Sequence, residues 1–129
     1  MNDSCWQPTG RAARLCEGVE DMTQELIISV SGMRGIVGEN LTATVAVEYG
    51  CAFGEYLRNT VGTGDRRPSV CIGRDSRVSG QMLACAVSAG LCAVGVDVTD
   101  LGLVTTPCVG IMLRELHAAG GVVVTASHN

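Results

Sequence analysis

The sequence predicts an α/β fold in which strands and helices alternate. Three observations carry this. Short β-branched apolar runs are separated by stretches of helical period. Gly, Pro and Asn punctuate the joins. The apolar content is high, 47% of 129 residues, yet Trp6, Tyr49, Phe53 and Tyr56 are the only aromatics. A core of Val, Leu, Ile, Ala and Gly suits a close-packed sheet covered by helices. The length suits one domain.

Residues 1–24 have no clear period and are interrupted by Pro8, Gly10 and Gly18, so they read as an extension before a domain at 25–129. Leu26–Val30 is an apolar run that reads as a first strand, ending at a tight loop, Ser31-Gly32-Met33-Arg34-Gly35. Two glycines around an Arg suggest backbone that comes close to something. A helix follows over Thr42–Arg58, with Val45, Tyr49, Ala52, Phe53, Tyr56 and Leu57 at helical spacing and Asn40 or Thr42 as cap.

Ser69–Ile72 is the second strand and stops at Gly73-Arg74-Asp75-Ser76-Arg77. Ser79 is placed to cap a helix over Gly80–Ala93, whose apolar face is Leu83, Val87, Leu91 and Val94, with Gly95 ending it. Val96–Thr99 is a third strand, followed by a loop over Leu101–Thr106. Pro107 opens a third helix, with Thr105 and Thr106 as capping residues. Its apolar stripe is Val109, Met112, Leu113 and Leu116, and Gly120-Gly121 is the expected stop. Val122-Val123-Val124, apolar on both faces, is expected to be a central strand. This order implies a layered α/β domain, in which ligands gather at the carboxyl ends of strands.

Net charge is −4 and every basic residue is Arg except for two His. No basic stripe with interleaved aromatics exists, which argues against nucleic acid as partner. No apolar run approaches a membrane-spanning length and no signal-peptide pattern opens the chain, so a cytoplasmic protein without a membrane partner is expected. The seven cysteines form no C-x-x-C pair and read as small buried hydrophobes in a reducing compartment.

The residues that could do chemistry sit at the strand ends. Thr125-Ala126-Ser127-His128-Asn129 directly follows the last strand. A serine there is held by a rigid element, with an imidazole and an amide beside it, although Ser and Asn also occur at such turns for capping reasons alone. Arg34 could hold an anion or brace its own loop by a salt bridge. Asp75 between Arg74 and Arg77 reads as a bracing network that supports the Ser127 loop. His117 reads as a surface residue.

The string Val123–Asn129 resembles the phosphoserine loop of the α-D-phosphohexomutases, the superfamily of phosphoglucomutase, phosphomannomutase and phosphoglucosamine mutase. Ser31–Ile36 resembles the family's first conserved loop and Gly73–Arg77 its second, in family order over residues 26–129. The resemblance implies the family's N-terminal domain, a three-layer α/β/α sandwich with a mixed, mostly parallel four-stranded sheet. It implies that Ser127 carries a transferable phosphate and that His128 assists proton transfer or contacts phosphate. Arg34 is then favoured as a phosphate-binding cation. The implied cofactor is Mg²⁺, held from this chain only by the Ser127 phosphate, its carboxylates coming from a later domain.

The implied reaction moves a phosphoryl group between C1 and C6 of a hexose phosphate through a hexose bisphosphate. The sugar is left open among glucose, mannose and glucosamine. The other mutase domains of the same chain are expected partners, and the 129 residues alone are expected to be inactive. The rival reading is a non-catalytic α/β binding or interaction module. A serine hydrolase fits poorly because the glycines of a nucleophile elbow are missing, and no G-x-G-x-x-G follows a strand to support a dinucleotide site.

Overall fold

A computed structural model describes residues 26–29, 32–61 and 67–126 of the chain. Its centre is β3, Ser69–Arg74, whose four inner residues are all buried. β4, Asp97–Leu103, and β5, Gly120–Val124, pair with β3 on either side, both parallel to it. The expected fold class is therefore present, with a correction to strand count and order. Among the described residues the main sheet has three strands and is wholly parallel. Val122–Val124 lies on its edge, not at its centre. A strand covered by helices on both faces is apolar throughout wherever it stands in the sheet, so the apolar run of β5 does not mark a central position.

The first expected strand does not join this sheet. β1, Ile27–Ser29, pairs antiparallel with β2, Gly32–Arg34, in a separate two-stranded sheet, with Ile28 opposite Met33. Part of the expected Ser31–Gly35 loop is thus itself a strand. Gly32, at φ +111, supplies backbone that other residues resist. Ile27 and Ile28 remain 57% and 69% exposed, as expected of a hairpin off the core.

Three helices flank the sheet. α1, Ala43–Thr60, starts at Thr42, whose hydroxyl accepts the Val45 N–H at 3.3 Å. Asn40 instead takes the Ile36 N–H at 2.7 Å. The buried line of α1 is Ala46, Gly50, Gly54 and Leu57, so small residues form the close contact while Tyr56 is exposed. α2, Val78–Ala93, begins earlier than expected, and its cap position is Arg77, not Ser79. α3, Thr106–Glu115, has Pro107 in its first turn, where a missing N–H costs nothing. Thr105 is its cap residue by position, but its hydroxyl turns to Cys108 Sγ at 3.3 Å and makes no side-chain cap.

The helices occupy opposite faces of the sheet. A β-carbon on Gly120 would meet the Phe53 ring of α1 at 2.8 Å. One on the next residue, Gly121, would meet Leu113 and Val109 of α3 at 3.2 Å. Successive residues of a strand face opposite ways, so the layers are α1 and α2, then sheet, then α3. Val70, Ile72, Leu83, Val87, Leu91 and Val96 form the core on the α1–α2 side.

This arrangement also corrects the role of Gly120 and Gly121. They open β5, where bulk would strike the helices, and do not stop α3. The chain leaves α3 through Leu116 and His117, the latter at φ 50. Within α3, Val109 is buried and Leu116 is 45% exposed. His117 is exposed, as expected. β4 runs on through Leu101–Leu103, which were expected to be loop. A bulge opposite Ile72 and Gly73, with Gly102 at φ +70, lets it continue.

Candidate functional site

Parallel pairing brings the carboxyl ends of β3, β4 and β5 to one rim. There β3 turns into α2 through Asp75, Ser76 and Arg77, and β5 runs out through Thr125 and Ala126. A pocket of about 240 Å³ opens between these exits and the β1–β2 hairpin. Arg34 and Met33 line it from the hairpin, Asp75 and Arg77 from the β3 turn, and Thr125 and Ala126 from the end of β5. Arg34 is exposed and ends β2, so its guanidinium is available to the pocket.

The site expected from the sequence combines Arg34, Ser127 and His128. Arg34 shares the pocket with the two residues that precede Ser127. Ser127, His128 and Asn129 lie outside the described residues, as does Ser31.

Asp75 ties the rim together. Its N–H donates to the Val124 carbonyl at 3.0 Å, a main-chain bond between the two strand exits. Its Oδ2 accepts the Ala126 N–H at 3.2 Å and its Oδ1 the Arg77 N–H at 3.1 Å. The Arg77 Nε stands 3.8 Å from Oδ2, a loose ion pair with the Arg side chain 60% exposed. The Arg77 N–H holds the Asp75 carboxyl below the usual carboxylate range. Partial burial opposes this, while the Ala126 N–H, the Arg77 charge and a Thr125 side-chain hydrogen bond reinforce it. Bracing, expected of the Arg74–Arg77 segment, is what Asp75 does.

Two features of the rim had no sequence signal strong enough to assign them. The first turn of α2 opens on the pocket through Ser79 and Gly80. A second, broader depression of about 640 Å³ lies on the other side of Asp75, between Arg74, Leu103, Thr105 and Val123. The Arg74 stem packs against Gly80, and its Nε is buried with no hydrogen-bond partner among the described residues.

Magnesium requires several hard oxygen ligands. Among the described residues no group of three or more His, Cys, Asp or Glu comes together. The carboxylate at the rim, Asp75, already accepts two N–H donors beside an Arg. The described residues therefore do not fit a Mg²⁺ site by themselves. Among them, no helix is long and apolar enough to cross a membrane.

Comparison with known proteins agrees with this architecture. A family described as "Phosphoglucomutase/phosphomannomutase, alpha/beta/alpha domain I" matches residues 25–129. A phosphoglucosamine mutase of Rhodococcus erythropolis is 45% identical over 103 residues, 80% of this chain and 23% of that protein. A phosphoglucomutase/phosphomannomutase of Thermococcus kodakarensis is 45% identical over 98 residues, 76% of this chain and 21% of that protein. A crystal structure of a phosphoglucomutase/phosphomannomutase family protein from Burkholderia thailandensis superposes with a TM-score of 0.53 at 44% identity, covering 58% of this chain and 15% of that one. The chain thus spans about a quarter of the length of the curated relatives it matches. With the three-layer architecture and a family match from residue 25 to residue 129, the chain belongs to the α-D-phosphohexomutase superfamily, as its α/β/α domain I.

Proposed function

We propose that the chain is the phosphate-carrying domain of a hexose phosphate mutase, with Ser127 as the residue that holds the transferable phosphoryl group. The observation that carries this reading is the pocket in which Arg34 meets Thr125 and Ala126, the residues immediately before Ser127.

In this reading a hydroxyl oxygen of a hexose monophosphate attacks the phosphorus on Ser127. The serine O–P bond breaks as the sugar O–P bond forms, and the proton of the attacking hydroxyl leaves to a base. The product is a hexose bisphosphate, whose other phosphate returns to Ser127 by the reverse chemistry. Such transfer is governed by positioning and by stabilising charge. A phosphoserine carries about −1.5 to −2 charge at neutral pH, and Arg34 supplies a permanently charged guanidinium at the rim to offset it. His128, adjacent in sequence, is assigned proton transfer or phosphate contact. When bound, Mg²⁺ would neutralise phosphate charge, with the Ser127 phosphate as the oxygen donor from this chain and the remaining ligands from further mutase domains. Residues 25–129 are one domain of that assembly and residues 1–24 an extension to it, in the cytoplasm.

The sugar is a hexose or hexosamine phosphate. Glucosamine phosphate is the first to test, because phosphoglucosamine mutases recur among the relatives. The test is peptide mass analysis together with turnover in the complete mutase carrying this domain. A phosphate on Ser127, lost with activity in Ser127→Ala, is expected. An unphosphorylated Ser127, or a fully active Ser127→Ala, overturns the reading in favour of a non-catalytic module. The 129-residue chain alone is expected to give no turnover of glucosamine or glucose phosphates.

A further inference from the structure

We propose that Asp75 is the positioning residue of the phosphate-carrying loop: by holding the Ala126 N–H, its carboxylate sets where the next residue presents its hydroxyl. This rests on the reading of Ser127 given above.

The ladder between β3 and β5 pairs Arg74 with Val124 and goes no further. Beyond it, the Asp75 N–H still reaches the Val124 carbonyl at 3.0 Å, but the chain then turns through Arg77 into α2. Among the described residues, no main-chain bond joins Ala126 to β3. Here the Asp75 side chain takes over, and its Oδ2 accepts the Ala126 N–H at 3.2 Å. Its Oδ1 is anchored in turn by the Arg77 N–H at 3.1 Å, so the carboxylate is fixed at both oxygens. One side chain thereby locks the turn into α2 to the exit of β5, two segments 51 residues apart.

Ser127 follows Ala126 by one peptide link, about 3.8 Å between α-carbons. Fixing the Ala126 N–H restricts the last backbone position before the serine. Phosphoryl transfer depends on that placement, and a misplacement of about 1 Å is enough to cost on the order of 100-fold in rate. Asp75 touches none of the reacting atoms in this account. It acts through Ala126.

The test uses Asp75→Ala, which removes both acceptor oxygens, so that the Ala126 N–H loses its side-chain partner. In the complete mutase, kcat is expected to fall roughly 100-fold with KM within about twofold of the wild type. In the 129-residue chain, amide exchange at Ala126 is expected to accelerate at least about tenfold, as a lost hydrogen bond requires, while Cys71 and Ile72 in β3 keep their protection. Unchanged kcat, or unchanged exchange at Ala126, overturns the inference. So does a fall in kcat accompanied by loss of protection at Cys71 and Ile72, since that is general destabilisation. An active Ser127→Ala would defeat the phosphoserine reading and this inference with it. An inactive Ser127→Ala beside a fully active Asp75→Ala would defeat the positioning role alone.

Discussion

Gly90 of α2 lies so close to the Val47 carbonyl of α1 that a β-carbon at residue 90 would overlap that oxygen. The contact is reciprocal: a β-carbon on Gly50 would strike the Val87 carbonyl. Cys51 adds a thiol donated to the Gly90 carbonyl at 3.4 Å. Two backbones therefore pack directly, and this crossing holds the two helices against each other. Ala in place of Gly inside a helix ordinarily stabilises by about 1 kcal/mol. At residue 90 the sign reverses, because the obstacle is backbone and cannot rotate away. Gly90→Ala is expected to destabilise the chain by about 2 kcal/mol or more. Gly110→Ala in α3, where nothing lies within 4 Å of the added carbon, is expected to stabilise it. Urea denaturation of the two variants measures the contrast. Equal effects of one sign would show that the crossing is loose.

Asp75 gives the fold an acid-sensitive link. Its carboxyl titrates below the usual range, chiefly through the Arg77 N–H. A carboxylate with a depressed folded pKa stabilises the native state above its unfolded value, about 3.9. That contribution fades as pH falls through the lower folded value. The urea midpoint of wild type should therefore exceed that of Asp75→Asn at pH 7 and at pH 5, and the gap should narrow by pH 3. A gap independent of pH would mean that ionisation of Asp75 contributes nothing to the link.

The sequence made the helices legible and the strand order not. Thr42 and Pro107 mark two helix starts through capping and proline chemistry, which act within a few residues. Whether β5 is central or on the edge depends on β3 and β4, and no local pattern encodes that. Gly120 and Gly121 follow α3 and read as its terminators, yet their role is to clear Phe53 on one face and Leu113 on the other. Arg34 draws notice in the sequence through its flanking glycines, and the structure shows it lining the pocket. The Asp75–Ala126 link was only hinted at, because the partners are 51 residues apart and the bond joins a side chain to a backbone group.

Arg34 carries the next prediction. Its side chain is exposed at the pocket and contributes little to the core. Arg34→Gln should leave the thermal midpoint nearly unchanged. A charge-assisted hydrogen bond to phosphate is worth about 1.5–3 kcal/mol. In the complete mutase, kcat/KM should therefore fall about 10- to 100-fold. Arg34→Lys should fall between, because an ammonium restores the charge without the planar fork that grips two phosphate oxygens. Wild-type turnover in Arg34→Gln would leave the residue with a purely structural role in the hairpin.

The cysteines separate by burial, and this tests the sheet itself. The expectation of buried hydrophobes holds for Cys71, which is 1% exposed at the middle of β3, but not for Cys85, Cys92 and Cys108, which are exposed. Burial pushes the Cys71 thiol up, disfavouring the thiolate that reacts with alkylating agents. Under native conditions at pH 8, a maleimide should therefore label Cys85, Cys92 and Cys108 and spare Cys71, as read by peptide mass. In urea above the unfolding midpoint, Cys71 should react as fast as the others. Because Cys71 pairs with Thr99 on one side and Gly121 on the other, its protection reports all three parallel strands together. Native labelling of Cys71 at the rate of Cys85 would be incompatible with β3 as the buried centre of the sheet.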